Sequence, residues 1–334
     1  MKSGLIYDRE GADRNRDYID LHETLGKKYG IDFELVYAEE LLKTVLSDTK
    51  PEDHIPQIFY QIRLREDLSS PPDFAVVRTI CPALTRALET AGIPTWNNSF
   101  VSAMTNHKGH CMDLIRSRTS VPTIPTQTFT MPLTDPVDTE ILQSHTGIVL
   151  KSASGHGGAD VVRIPASVSS EVSRWLSSDP TGQRNNEPPT SPDGLAHLLE
   201  TAKNQRDDLI LQPFIEGSGS DVRVYVVGDR IVAAVKRTAP EGEFRSNFSL
   251  GGTISTYDLN ETETGYVRQI IRLFDFGMVG IDFILDEQGG FIFNEIEDVV
   301  GARMLYQTYP EIDILEEYLC FLAKKNGPTD PVIP

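Results

Sequence analysis

The sequence predicts an α/β protein, with a parallel α/β domain over residues 1–98 followed by an α+β core. Two observations lead there. Before Ser99, short apolar runs alternate with amphipathic helical stretches, the pattern of a parallel sheet with helical crossovers. Beyond Ser99 the apolar runs lengthen, become β-rich and are separated by glycine turns, which suits antiparallel pairing.

The elements follow in order. GLIYD (4–8) is the first strand and residues 17–29 form an amphipathic helix. FELVYA (33–38) is a second strand and QIFYQI (57–62) a third. A helix over 82–91 stops at Gly92, and IPTWN (93–97) is a short strand. No G-x-G-x-x-G follows the first strand, so a dinucleotide site is not supported there. A helix over 106–117 leads into the proline-rich SVPTIPTQTFT (120–130). GIVLK (147–151) and ADVVRI (159–164) are strands flanking the turn SASGHGG. Residues 179–195, polar and proline-rich, read as a surface loop. A helix over 195–204 precedes three strands, LILQPFI (209–215), DVRVYVVG (221–228) and DRIVAAVKR (229–237). A helix over 261–276, a hairpin over 279–297 and a helix over 312–325 complete the pattern.

Composition limits the function. A net charge of −18 opposes a nucleic-acid partner, because phosphate binding needs a basic surface, and it opposes docking on anionic lipid. A small anionic ligand remains compatible, since a local basic pocket can hold one. Cys81, Cys111 and Cys320 have no metal spacing and leave an odd thiol, which suits a reducing compartment. The first twenty residues turn charged after a very short apolar stretch, unlike a signal peptide, and no run approaches the ~18 apolar residues of a membrane span. A cytoplasmic location is expected.

Three constellations could carry chemistry. The final hairpin turns at 287–290, which sets Asp282 opposite Glu295 and puts Glu297 on the same face. Ile281, Phe283, Leu285, Phe291, Phe293 and Ile296 supply the apolar face. Carboxylates gathered this closely need a cation, and hard oxygen ligands suit Mg²⁺ shared with phosphate; a solvated acidic face is the plainer alternative. Next, Lys151 precedes a loop whose Gly155, Gly157 and Gly158 let backbone N–H groups approach phosphates; a glycine-rich hairpin with no ligand is the commoner explanation of such a turn. That loop joins two strands, so it is neither a Walker nor a Rossmann turn. Finally, Lys236 and Arg237 with Arg245, Ser246 and Asn247 before Gly251 suggest an anion site in an acidic protein, with solvated hairpin charges as the plainer alternative. Arg78, near the end of a strand in DFAVVRTI, could clamp a carboxylate or pair with a structural acid.

Residues 75–330 resemble the ATP-grasp superfamily, specifically its RimK-like branch of carboxylate–amine ligases. The resemblance is carried by DVRVYVVGDRIVAAVKRTAPEGEFRSNFSLGG, by DFAVVRTICPALTRALETAGIPTWNNSFVSAMTNHKG and by VGIDFIL…FIFNEIEDVVG. It implies a two-lobed ATP-grasp domain, with lobe 1 over 99–206 and lobe 2 over 207–330, after the N-terminal domain. It further implies that Lys108 and Lys151 touch nucleotide phosphates under the 155–158 loop, and that Gln212, Pro213, Phe214 and Ile215 form the hinge that reads adenine. Asp221 matches a nucleotide-contacting acid, and Arg245, Ser246 and Asn247 match phosphate and transition-state contacts. Asp282, Glu295 and Glu297 match the magnesium ligands. Glu297 stands where the family usually has Asn, and Asp298-Val299-Val300-Gly301 replaces its Ser-Pro-Gly element, so substrate choice does not carry over.

The activity implied is ATP-dependent amide formation through an acylphosphate, with ATP and one or two Mg²⁺ ions (or Mn²⁺) as cofactors. Arg245 and Lys151 would be catalytic. The partners are small-molecule or peptide carboxylates and amines, with a homo-oligomer left open. Arg78 and Arg303 point to a substrate carboxylate. A small-molecule kinase on the same fold and a non-catalytic nucleotide-binding regulator are the alternatives.

Overall fold

The computed structural model describes residues 1–45, 72–130, 138, 141, 144–155, 161–177, 194–205, 208–240 and 252–327. Its first sheet is wholly parallel: β1 (Lys2–Tyr7), β2 (Asp32–Tyr37), β3 (Phe74–Val77) and β4 (Thr95–Trp96) lie in the order β2-β1-β3-β4. Helices α1 (Arg9–Arg14), α2 (Arg16–Gly26), α3 (Ala38–Val45) and α4 (Pro82–Thr90) connect these strands. The strand expected at 57–62 lies outside the described residues; the third described strand is Phe74–Val77. The chain winds away from β1 in opposite directions, so a switch point falls between β1 and β3. Sheets of this kind bind ligands outside the carboxyl ends of the strands at that point. Tyr7 closes β1 there and Arg78 directly follows β3. Asp8 caps α1 by accepting from the Gly11 N–H at 2.6 Å, and its other oxygen accepts from Thr79 Oγ1 at 2.8 Å, tying the two strand ends together.

The second sheet is antiparallel, in the order β5-β8-β6-β7, from β5 (Gln127–Thr130), β6 (Ile148–Ser152), β7 (Val161–Ile164) and β8 (Asp208–Pro213). Helices α7 (Ala166–Ser177) and α8 (Leu195–Gln205) cover it, and Leu195, Leu198, Leu199 and Ala202 share a core with Ile148, Leu150 and Leu209. Although a division at 206/207 groups β8 with the second lobe, β8 pairs only within this sheet.

The third sheet holds β9 (Gly217–Val227), β10 (Arg230–Thr238), β11 (Thr253–Tyr257), β12 (Met278–Asp286) and β13 (Phe291–Glu297) in the order β11-β10-β9-β12-β13, all antiparallel. One face packs against α5 (Ser99–Thr105), α6 (Lys108–Arg118) and α9 (Glu261–Ile271). Val222, Val224, Ile281, Phe283 and Phe293 meet Cys111, Met112, Ile115 and Val267 in that layer. Burial of each such side chain contributes about 1.5–3 kcal/mol before the entropy cost. Helices α10 (Arg303–Thr308) and α11 (Ile314–Asn326) join the N-terminal sheet to the other face, where Leu315, Tyr318 and Leu319 share a core with Leu5, Val76 and Tyr225. Helix α9 opens on a capping box between Asn260 and Glu263 and ends at Ile271, earlier than the pattern over 261–276 suggests. The reason is local: the Leu273 and Phe274 N–H groups bond three residues back, to Ile270 and Ile271, in tight turns before β12. Among the described residues, no helix is long and apolar enough to cross a membrane.

Candidate functional site

In β9 the alternation of Asp221-Val222-Arg223-Val224-Tyr225 sends the valines into the helix-covered core and the polar residues to the opposite face. Register then decides who meets whom. Asp282 of β12 lies between Arg223 of β9 and Glu295 of β13, while Asp221 faces Arg237 of β10. The turn and the Asp282–Glu295 pairing agree with the sequence. A bulge at Asn294 lets Phe293 face Phe283 on the apolar side, although it is only two residues from Glu295.

A buried ion lattice results. Arg223 Nε and Nη2 donate to Asp282 Oδ1 and Oδ2 at 2.8 and 2.7 Å, and Arg237 Nη2 donates to Asp282 Oδ2 at 2.8 Å. Arg237 also donates to Asp221 Oδ2 at 2.8 Å, and Arg223 Nη1 reaches Glu297 at 2.6 Å. Burial alone would raise the Asp282 carboxyl, but the two guanidiniums hold it down to about 2. Glu297 moves the other way: burial raises it, and Arg223 opposes without prevailing.

Two lysines complete the cluster. Lys108 opens α6; its N–H donates to the Ala153 carbonyl at 2.9 Å, its Nζ bonds the Gly155 carbonyl, and it lies 3.3 Å from Glu295. Against the cost of burial, Lys108 holds Glu295 below the usual carboxylate range. Lys151 of β6 is buried, and burial pushes its ammonium down to about 8, with Lys108 acting in the same direction and Glu295 opposing. Gly155 is thus joined to Lys108, whereas Gly157, Gly158, Arg245, Ser246 and Asn247 lie outside the described residues.

At the expected adenine hinge, Gln212 is buried and donates to Thr126 Oγ1 at 2.7 Å. The Phe214 N–H donates to the Gly147 carbonyl at 2.9 Å, and its carbonyl accepts from Thr146 Oγ1 at 2.6 Å. Phe214 therefore ties the chain just beyond β8 to the turn at Thr146 and Gly147. The Arg163 guanidinium sits 3.7 Å above the Phe214 ring.

Several placements differ from the sequence reading. Lys236 falls opposite Val222, on the face away from the ion lattice, and its neighbour Arg237 takes the site position; the cause is the period-2 alternation of β10. Arg303 is exposed at the start of α10, and its side chain makes no hydrogen bond or ion pair among the described residues. Asp282, Glu295 and Glu297, expected at magnesium, share one face of the hairpin but sit in different surroundings. Both oxygens of Asp282 are taken by guanidinium donors, and among the described residues no group of three or more His, Cys, Asp or Glu is arranged to hold a metal. Arg223 and Arg237 supply the cation that Asp282 requires. Glu295 and Glu297, whose side chains are 28% and 41% exposed, keep open surface and fit a Mg²⁺ held by two carboxylates and shared with phosphate.

Residues 190–321 match the RimK-like ATP-grasp domain family. Over those residues the chain is similar to that family. A probable alpha-L-glutamate ligase of Trichodesmium erythraeum is 26% identical over 247 residues, 73% of each chain. Another, from Hahella chejuensis, is 31% identical over 137 residues, which is 40% of this chain and 44% of that protein, so the match spans less than half of that relative. Among solved structures, the VanG D-Ala:D-Ser ligase of Enterococcus faecalis superposes with a TM-score of 0.66 at 13% identity, covering 97% of this chain and 99% of its own. The RimK domain ATP-grasp protein of Sphaerobacter thermophilus gives 0.60 at 15% identity, covering 97% and 98%. The likeness of fold to these structures therefore extends beyond the matched domain, through the parallel N-terminal sheet.

Proposed function

We propose that the protein spends ATP to join a carboxylate to an amine, forming an amide through an acylphosphate and releasing ADP and phosphate. The observation that carries this reading is the convergence of Lys108 and Lys151, from α6 and β6, on Glu295 of the acid hairpin. Two cations beside a semi-exposed carboxylate suit a triphosphate whose metal the acids share.

In this reading the Pro213 carbonyl and the Ile215 N–H receive the adenine edge, and Lys108 and Lys151 bind phosphate oxygens. Glu295 and Glu297 would hold magnesium, which when bound neutralises charge on the transferred phosphoryl group. Arg223 and Arg237 stay fixed by Asp282 and Asp221, so their positive field costs no reorganisation during reaction. A substrate carboxylate oxygen bonds the γ-phosphorus as the bond to ADP breaks. The free amine then attacks the acyl carbon, loses its proton and expels phosphate. Arg245, with Ser246 and Asn247, is retained as the proposed phosphate contact on the strength of the resemblance alone.

The experiment is an ADP-release screen over paired carboxylates and amines, with mass spectrometry of the products. An amide whose formation matches ADP release supports the reading. A stable phosphorylated product that no amine consumes assigns phosphotransfer instead, and nucleotide binding without turnover across the panel assigns a regulator.

A further inference from the structure

Lys108 is the first residue of α6, and the residue that caps this helix is a histidine. His107 Nδ1 accepts from the His110 N–H at 3.1 Å, a place usually taken by the side-chain oxygen of Ser, Thr, Asp or Asn. The other ring nitrogen, Nε2, lies 3.2 Å from Asp208 Oδ2, and Asp208 Oδ1 accepts from Thr130 Oγ1 at 2.6 Å. The backbone closes the same corner. The Ala153 N–H donates to the Asp208 carbonyl at 2.8 Å, and the Lys108 N–H donates to the Ala153 carbonyl at 2.9 Å. Asp208 opens β8 in the second sheet, whereas Cys111, Met112 and Ile115 of α6 pack on the third. His107 therefore stands at the joint that sets Lys108, with its bond to Gly155, against Glu295.

This geometry admits one protonation state. A nitrogen that accepts from a backbone N–H carries no proton of its own, so Nδ1 is bare and Nε2–H donates to Asp208. Thr130, against the cost of burial and with help from His107, holds the Asp208 carboxyl below the usual carboxylate range, which keeps it an acceptor. A proton on Nδ1 would set donor against donor at the His110 N–H, and the cap would be lost. Among the described residues, two titratable groups face the ring. Asp208 of β8 favours the imidazolium; His110, stacked on His107 at 3.6 Å between ring centroids and itself near Asp113, opposes it once charged. We propose that His107, fixed by Asp208, is a positioning residue for Lys108 and holds the first turn of α6 only while its imidazole is neutral. Its effect on nucleotide affinity rests on the ligase reading of Lys108, but the cap does not.

The test uses the full chain. Nitrogen-15-labelled histidine reports the tautomer by NMR, and calorimetric titration with MgATP between pH 5 and pH 8.5 reports affinity. At pH 8 His107 should be the Nε2–H tautomer, and its titration should shift the His110 amide resonance. MgATP affinity should fall about fivefold as pH drops through that titration, the effect of losing one helix cap. Each variant is compared with itself across pH, which separates this fall from those of other groups. His107→Asn keeps a capping oxygen that does not titrate in this range and should abolish the fall. His110→Asn should retain it. Asp208→Asn removes the charge that favours the imidazolium, so the fall should move to lower pH. A merely structural contact shifts none of these profiles. The tautomer is read on the unaltered protein, so a variant that fails to fold leaves the test intact. An Nδ1–H tautomer at pH 8, or the same acid fall in the parent and in His107→Asn, overturns the proposal and leaves the ligase reading standing. Absence of MgATP binding at every pH sinks the ligase reading, and the tautomer with its coupling to the His110 amide then decides the cap alone.

Discussion

Arg223 grips Asp282 through two parallel hydrogen bonds, from Nε at 2.8 Å and Nη2 at 2.7 Å, across strands β9 and β12 where the two residues stand directly opposite. Arg237 adds a third bond from β10, so one carboxylate orders two guanidiniums that would otherwise repel. The lattice places a fixed positive face beside Glu295 and Glu297, and its integrity precedes any chemistry there.

Asp282→Asn should therefore act first on stability. It leaves Arg223 and Arg237 buried with reduced compensation, a change that costs about 3–5 kcal/mol when one partner of a buried pair is lost. Urea denaturation monitored by circular dichroism checks this, and a loss below about 1 kcal/mol would mean that Asp282 is not the counter-ion of the lattice.

Glu295→Gln separates catalysis from folding. The side chain is 28% exposed and near-isosteric replacement leaves no cavity, so the fold should persist with a loss of about 1 kcal/mol or less. ADP release should fall to background, while Lys151→Ala should weaken nucleotide binding about tenfold or more through loss of a charged contact. Full turnover in the first variant, or unchanged ATP affinity in the second, contradicts the assignments.

Much of this site can be read from local pattern, and its limits are physical. The Gly289-Gly290 turn and period-2 alternation set Asp282 opposite Glu295, as the register confirms. What alternation cannot reveal is which strand becomes the neighbour of β12. That β9 lies there, bringing Arg223, is a long-range pairing. The valines flanking Arg223 were a usable signal, because a cation inside an otherwise apolar run must face either solvent or an acid. Lys236 and Arg237 illustrate how phase decides: alternation sets Lys236 opposite Val222 and gives Arg237 the place beside Asp221. The six- and seven-residue helices α10 and α5 are too short to show a helical period, and they escaped notice for that reason.

Gly109 is where helix α6 touches the second sheet, and a Cβ built there would lie 2.1 Å from Thr128 Oγ1. Gly109→Ala should push the start of α6 away from β5, and Lys108 is the adjacent residue. The expected result is weaker nucleotide binding with a stability loss of about 1–3 kcal/mol, the usual range for overpacking. Adding Thr128→Ser, which removes a methyl but keeps the clashing hydroxyl, should restore little; Thr128→Gly in the same background should restore nucleotide affinity. The double variants titrated with ATP check both statements.

His22 gives the fold an acid sensitivity of its own. The residue is fully buried; Nδ1–H donates to the Tyr18 carbonyl at 2.8 Å, and Nε2 has no partner. Burial pushes its pKa down from 6.5 to about 3, and the nearby Arg78 acts in the same direction. Between those values the unfolded chain binds a proton that the folded chain refuses, so stability falls as pH drops from 6.5 towards 3 and is unaffected by this group above 6.5. At pH 5 the loss amounts to about 2 kcal/mol, from 1.5 pH units at about 1.36 kcal/mol each. His22→Phe keeps a ring between Tyr18 and Phe33, which both meet His22 edge-on, and removes the titrating nitrogen. The difference in unfolding free energy between pH 7.5 and pH 5 should shrink by about that amount in the variant, measured by urea titration at each pH. An identical difference in both proteins would show that His22 accepts its proton without unfolding, which a neutral imidazole enclosed beside a buried guanidinium should not do.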